Sequence, residues 1–385
     1  MRKICIITGS RADYGLLRLT IDEIEKSQSL ELKLIATGMH LSPDFGNTFK
    51  EIENDGFRID YKLPILDGRD SAENIIKAMS RAMESLPGIY KALDPDLILV
   101  LGDRFEIFTA TYVAHILNIP IAHIHGGELT EGAFDEAFRH SITKMSHLHF
   151  ASTESYKKRI IQLGERPNTV FNFGAPGVEA IKKVKLYKKN ELESSIGFKI
   201  KDKSLLITFH PETLISNIKP IEQVKNLLNV LNDLRDTTLI FTKSNADTGG
   251  TSINQEIDKF VANNPLNSIA FSSLGQKRYF STLQFVDGVV GNSSSGLLEV
   301  PSFNIGTVNI GNRQKGRIRA ESVIDTENNK DSIRKNITKL YEKEFQAIAS
   351  NVDNPYDGGK TSVKITNVLK EFDLHNIITK QFYDL

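Results

Sequence analysis

The residues Gly291-Asn292-Ser293-Ser294-Ser295-Gly296 lie between an apolar run, Phe285 to Val290, and a helix-like stretch, Leu297 to Val300. A strand that ends in small hydroxyl residues and then starts a helix turns backbone N–H groups and the positive helix end toward one point, where an anion binds. The same run also reads as an ordinary serine N-cap, worth about 1 kcal/mol of helix stability. What favours the anion reading is the supply of cations at other strand ends, Arg11, Arg104, His210 and Arg313. Together these residues describe a diphosphate cradle. A second set could move protons. Asp103, Glu128, Asp135 and Glu136 gather acids, with Arg104, Arg139, His140 and Lys144 among them. Asp135 and Arg139 are four apart, the spacing of an ion pair on one helix face, although a surface pair contributes only about 0.5 kcal/mol. Burial and neighbours can separate the pKa values of carboxylates beside a cleft, so that one holds a proton and another accepts one.

These residues need a scaffold that presents strand ends side by side. Short β-branched runs alternate with longer stretches of helical period, which predicts parallel sheets covered by helices. Strands are expected at Lys3–Thr8, Glu31–Thr37, Asp96–Leu101, Ile119–Ile124, Leu148–Ala151 and Thr169–Phe173 in the first half. The second half repeats the rhythm at Ser204–Phe209, Thr238–Thr242, Ser268–Ser272, Val286–Val290 and Gly306–Ile310. Between the first two strands, Leu16, Leu17, Thr20, Ile21 and Ile24 fall on one helical stripe. In open α/β sheets a ligand lies beyond the carboxyl ends of the strands. There the chain carries Thr8 to Tyr14, Gly102-Asp103-Arg104, His125 to Glu128, His210 to Thr213, Lys243 to Gly249, the serine run and Gly311 to Gln314. The expected fold is α/β, with two doubly wound Rossmann-like domains, 1–182 and 204–362, and the active site in the cleft between them. The lysine-rich 183–203 reads as a linker, and 363–385 as an amphipathic segment that crosses back to the first domain.

Charge and composition narrow the partners. At 385 residues the chain exceeds what one core usually serves. The 48 basic and 48 acidic residues cancel without long single-sign runs, which argues against a nucleic-acid or anionic-membrane surface. The single cysteine, Cys5, sits within Ile4 to Ile7 and reads as a core residue in a reducing compartment. With no membrane-length segment, a cytoplasmic protein is expected. No Gly-x-Gly-x-x-Gly follows the first strand, so the nicotinamide fingerprint is missing, and Gly359-Lys360-Thr361 lacks the first glycine of a phosphate loop. His123-x-His125 and His147-x-His149 raise the question of a metal, but no four-ligand spacing accompanies them.

The motifs Thr8 to Gly15, Ala36-Thr37-Gly38-Met39-His40, Gly102-Asp103-Arg104, His123 to Glu128, Asp135 to Ser141, His210-Pro211-Glu212-Thr213 and Gly291 to Glu299 together resemble the hydrolysing UDP-N-acetylglucosamine 2-epimerases of sialic-acid pathways. Ser244 to Gly249 and Arg313 to Arg317 extend the likeness to the bacterial capsule-type enzymes. The resemblance spans nearly the whole chain. It implies a glycosyltransferase-B-like pair of domains, a UDP-sugar as small-molecule substrate, no dissociable redox cofactor, and a homodimer or homotetramer; no metal is expected from the histidine spacing. It also implies that UDP departs as the C2 proton is removed, leaving a 2-acetamidoglycal to which water adds.

On that resemblance Asp103, His125, Glu128, Asp135 and His210 form the catalytic set. Arg11, His210, Ser293, Ser294 and Arg313 hold the diphosphate, Glu299 the ribose, and Arg104, His123, Arg139, Asn245, Asp247 and Ser295 complete the substrate contacts. Many members have a glutamate where this chain has His125, so either its imidazole or Glu128 takes the acid/base role. A bacillosamine-type UDP-sugar is the alternative substrate. A retaining glycosyltransferase and a silent UDP-sugar sensor are the alternatives from other classes.

Overall fold

Alternate residues of the first strand feed two different cores. In β1 (Arg2–Thr8), Ile4 and Ile6 pack with Leu17, Leu34 and Leu99, while Cys5 and Ile7 pack with Ile35, Ile98 and Val100. A strand buried on both faces is what a parallel sheet with helices on each side requires. The computed structural model describes residues 1–67, 71–130, 134–212, 218–244 and 249–385. It divides into two units. Unit 1 comprises Met1–Glu128, Asp135–Ala180 and Tyr356–Leu385, and unit 2 comprises Leu129–Phe134 and Ile181–Pro355.

The sheet of unit 1 adds β2 (Leu30–Thr37), β3 (Tyr61–Leu63), β4 (Leu97–Leu101), β5 (Ile121–Ile124), β6 (Leu148–Ala151) and β7 (Val170–Asn172). Its seven strands are ordered β3-β2-β1-β4-β5-β6-β7, and each pairing is parallel. Unit 2 holds β8 (Lys203–Thr208), β9 (Thr237–Thr242), β10 (Ser268–Phe271), β11 (Gly288–Gly291), β12 (Gly306–Ile310) and β13 (Val323–Thr326). Its six parallel strands run β10-β9-β8-β11-β12-β13. In both sheets the winding reverses, between β1 and β4 and between β8 and β11. Loops diverge at such a switch point and leave room for a ligand.

Two boundaries differ from the sequence reading. The stretch expected as a linker, 183–203, contains the helix Lys189–Ile196, whose Leu192 and Ile196 are buried. Two apolar residues four apart seat this helix, whose other positions are lysine, asparagine, glutamate and serine. Unit 1 resumes at Tyr356 rather than at 363. The Tyr356 hydroxyl lies 3.0 Å from that of Tyr156, and buried Glu179 accepts from the Ser362 N–H at 2.6 Å and its hydroxyl at 2.9 Å. The helix Thr361–Glu371 then sets Ile365 and Leu369 into the core beside Ile4 and Leu17.

Candidate active site

The carboxyl end of β5 makes an abrupt turn. His125 has φ +66° and Gly127 φ +73°. Every other described residue with a side chain in the left-handed region is Asn or Asp, which adopt it most readily. Gly127 is obligatory, because a Cβ there would stand 2.5 Å from the Tyr156 carbonyl. The turn folds Glu128 back onto its own strand end. His125 Nδ1 lies 2.5 Å from Glu128 Oε1, with both side chains buried. A carboxylate can only accept, so Nδ1 carries the proton and Nε2 of the neutral ring has the free lone pair. Nε2 is buried and has no hydrogen-bond partner among the described residues.

Arg139, in the helix Asp135–Met145, holds this turn from the other side. Its Nη1 donates to the His125 carbonyl at 2.9 Å and lies 3.9 Å from Glu128 Oε2, while Nη2 pairs with Asp103. Asp103 comes from the end of β4. Four of the expected residues, Asp103, His125, Glu128 and Arg139, therefore form one connected group, and Asp135 begins the helix that carries Arg139.

At the β1–β4 switch point a second group forms around the start of the helix Arg11–Glu25. Arg104 Nε donates to Glu106 Oε1 at 2.7 Å, and a Cβ on Gly9 would meet that oxygen at 2.2 Å. Glycine at position 9 is what lets the carboxylate lie over the loop. Burial pushes the Asp13 carboxyl up to about 7, against the pull of Arg104 and with the repulsion of Glu106 adding to it. Arg11 is partly exposed at the same edge and pairs with Glu51 at 2.7 Å. Beneath them, His40 lies between Thr8 Oγ1 at 3.0 Å and Thr48 Oγ1 at 2.9 Å, and burial lowers its pKa to about 4.

His123 requires a correction. It was expected to touch substrate, but it is completely buried, with Nε2 2.8 Å from the Gly102 carbonyl and Nδ1 3.3 Å from Thr143 Oγ1. Burial lowers its pKa to about 3, so it is a neutral strut under the Gly102-Asp103 turn. The other histidine pair is also committed internally. His147 Nδ1 accepts from the Ile121 N–H at 3.1 Å, and His149 Nε2 lies 3.1 Å from Glu165. Among the described residues no three His, Cys, Asp or Glu side chains gather as a metal site.

Unit 2 presents a different edge. Gly291 ends β11 with φ +145°, and a Cβ there would fall 1.9 Å from the Thr208 carbonyl, so the strand end runs against β8. Fully buried Asn292 then accepts from the His210 N–H at 2.7 Å and donates to the His210 carbonyl at 2.8 Å. Its own carbonyl accepts from Gln314 Nε2 at 2.8 Å and Arg313 Nη1 at 3.3 Å. One asparagine thus ties together the loops after β8, β11 and β12. Ser293, Ser294 and Ser295 follow, all partly exposed. Ser294 is the N-cap of the short helix Ser295–Leu298 but makes no side-chain capping bond, so its hydroxyl is not used as an ordinary cap. Tyr279 lies 2.6 Å from Ser295 Oγ, and burial followed by the nearby Glu299 charge raises its hydroxyl pKa far above the usual range. Ser244 Oγ is 3.3 Å from His210 Nδ1. Asn245 and Asp247, also expected to bind substrate, lie outside the described residues.

Three residues went unassigned in the sequence reading. Ser152 donates to Glu128 Oε1 at 2.7 Å, and its position directly after β6 was the signal. Asn292 stood inside the serine run, but its partner His210 is 82 residues away. Asp13 was part of the first loop, yet only burial distinguishes it from an ordinary helix-start acid.

Comparison with known proteins gives concordant findings. The sequence model of the family described as UDP-N-acetylglucosamine 2-epimerase matches residues 22–370. The chain is 43% identical over its full length to 99% of a Campylobacter jejuni protein named GDP/UDP-N,N'-diacetylbacillosamine 2-epimerase (hydrolyzing). It is 39% identical, again over its full length, to 98% of the Escherichia coli polysialic acid biosynthesis protein P7. In fold it is similar to a crystal structure of UDP-GlcNAc 2-epimerase from Neisseria meningitidis bound to UDP-GlcNAc, with TM-score 0.81, 20% identity, and coverage of 95% of this chain and 99% of that one. The paired parallel sheets are those of the glycosyltransferase-B-like epimerase structures. No helix among the described residues is long and apolar enough to cross a membrane.

Proposed function

The chain belongs to the UDP-N-acetylglucosamine 2-epimerase family, and we propose that it is a hydrolysing 2-epimerase that converts UDP-N-acetylglucosamine to N-acetylmannosamine and UDP. The observation that carries this reading is the buried His125–Glu128 pair with its open Nε2 at the carboxyl end of β5, tied through Arg139 to Asp103. In the proposed reaction a base takes the C2 proton while the C1–O bond breaks and its electron pair leaves with UDP. The resulting 2-acetamidoglycal then gains hydroxide at C1 and a proton at C2 from the opposite face, so water is consumed and the C2 configuration inverts.

His125 Nε2 fits the base. It is within a water-poor surround, it has an unshared lone pair, and the Glu128 carboxylate behind it stabilises the imidazolium that forms. Asp103 and Asp135 supply carboxyls for the second proton transfer and for the positive charge that develops at C1. His210, Ser293, Ser294, Ser295 and Arg313, with Arg11, are the groups we assign to the diphosphate. Fixed N–H, hydroxyl and guanidinium donors stabilise a leaving dianion without having to reorganise. Glu299 is assigned to the ribose hydroxyls, Arg104 to the sugar, and Asn245 and Asp247 to the nucleotide side. A homodimer or homotetramer and a cytoplasmic setting belong to the same proposal.

The identity to the Campylobacter protein favours a second substrate, UDP-N,N'-diacetylbacillosamine, which would differ only in how the pocket meets C4 and C6. The purified protein incubated in deuterated water with each UDP-sugar, followed by NMR, separates the readings. Free 2-epimer carrying deuterium at C2, with UDP released in equal amount, is expected. Transfer of sugar to an added acceptor would mean a glycosyltransferase, and binding without product would mean a sensor.

A further inference from the structure

The loop after β8 carries a residue that the assignments above leave unused. Glu212 stands two positions beyond His210, is 8% exposed, and accepts from the Asn312 N–H at 2.7 Å through Oε1. That bond joins residues 100 apart in the chain and links the end of β8 to the end of β12. The contact is built from both sides. Gly311 has φ +77°, and a Cβ on it would stand 2.0 Å from Glu212 Oε1, so a side chain at 311 would push the carboxylate off its partner. The main chain of Glu212 is held in turn. Its N–H donates to Oε1 of Gln223 at 3.4 Å, and that glutamine is buried in the helix Pro220–Leu231.

Arg313 follows Asn312 directly. Its turn is anchored at three N–H groups: Gly311 donates to the Thr326 carbonyl at 2.8 Å, Asn312 donates to Glu212, and Lys315 closes onto the Asn312 carbonyl at 2.9 Å. Of these three acceptors only Glu212 is a side chain, so only that anchor depends on residue type. A carboxylate also accepts more strongly than a carbonyl, by about twofold in hydrogen-bond energy. At the far end of the arginine, Nη1 reaches the Asn292 carbonyl at 3.3 Å, a long bond that leaves much of the guanidinium's placement to the backbone carrying it. We infer that Glu212 is a positioning residue for the diphosphate site, whose carboxylate holds the Asn312 N–H and thereby sets where Arg313 presents its guanidinium. The inference rests on the functional reading given above, in which Arg313 grips the diphosphate. A negative charge near a bound diphosphate would by itself repel it, so Glu212 contributes through its reach and not through its charge. Donors fixed in advance hold a dianion without reorganising, whereas a loosened turn must be ordered as the ligand arrives, at a cost in affinity.

Two substitutions separate reach from charge. Glu212→Asp keeps the charge but is one methylene shorter, which draws the carboxylate back from Asn312, whereas Glu212→Gln drops the charge and keeps an acceptor oxygen at full reach. The dissociation constant of UDP, measured by titration calorimetry, should rise about 10-fold in Glu212→Asp, the cost of one lost hydrogen bond. Glu212→Ala, which removes the acceptor outright, should weaken binding at least as much, and Glu212→Gln should retain the affinity to within about threefold. In a cycle with Arg313→Ala, adding Glu212→Asp should weaken UDP further by less than about twofold, because the residue through which it acts is already gone. Parent-like UDP binding in both Glu212→Asp and Glu212→Ala would overturn the inference. So would a loss in Glu212→Asp that persists in full beside Arg313→Ala, which is what a general support of the fold would give, or a greater loss in Glu212→Gln than in Glu212→Asp, which would make charge the active property. Parent-like UDP binding by Arg313→Ala alone would overturn the functional reading of Arg313, and the inference with it.

Discussion

The carboxyl edges of the two sheets share one topology but are held together by different chemistry. In unit 1 the segments after β4 and β5 are held by charged and titratable groups, with Arg104 paired to Glu106 after β4, His125 to Glu128 after β5, and Arg139 to Asp103 between the two. In unit 2 the loops after β8, β11 and β12 are joined chiefly by amides, through Asn292 to the His210 backbone and Gln314 to the Asn292 carbonyl. Proton transfer needs groups that titrate and are kept with a lone pair or proton to spare. Holding a diphosphate needs dipoles that stay put at every working pH. The same doubly wound frame thus supports an edge suited to each task, and the division follows from which side chains end the strands.

The sharpest way to break this comparison is to neutralise the titratable pair. Glu128→Gln should lower kcat about 1,000-fold, the range of a lost general-base partner, with KM changed no more than about threefold in a steady-state assay of UDP release. A loss expressed in KM alone would place Glu128 among the binding groups and erase the contrast.

A smaller effect concerns stability. Asp13 is raised in the folded state to about 7, above the ordinary carboxyl value, so its contribution is fully present below about pH 4 and is lost as pH rises toward 7. His40 and His123 act in the opposite sense. Their folded values, about 4 and about 3, lie below the ordinary imidazole value, so their contribution is present above about pH 6.5 and is lost as pH falls through the folded values. Asp13→Asn should therefore gain on the parent by an amount on the order of a few kcal/mol between pH 4 and 7. Urea-unfolding midpoints across that range measure it, and a constant difference between the two proteins would refute the burial of an acid at this position.

Much of the architecture was legible in the sequence because central parallel strands are continuous apolar runs. The strands Ile4 to Ile7, Leu97 to Leu101 and Leu205 to Ile207 announce themselves in this way. β3 and β13 were not found, and both lie at sheet edges with one neighbour each. Tyr61 and Lys62 in β3 are exposed, and β13 alternates buried with less buried positions over four residues, so neither leaves an apolar run to detect. The site was partly legible for a related reason. The rule that ligands lie beyond strand ends pointed to Asp103, His125 and the serine run, and applied to β6 it leads equally to Ser152. What the sequence does not carry is depth. Nothing in its spacing places His123 wholly beneath the Gly102-Asp103 turn, or joins Asn292 to a loop 82 residues away.

The division of labour between the edges is tested most directly by the dissociation constant of UDP alone, measured by titration calorimetry on His125→Gln and Arg313→Ala. His125→Gln should bind UDP within about twofold of the parent protein, whereas Arg313→Ala should bind about 10-fold to 100-fold more weakly, the cost of one charge-assisted contact. Weakened UDP binding in His125→Gln together with parent-like binding in Arg313→Ala would contradict the account.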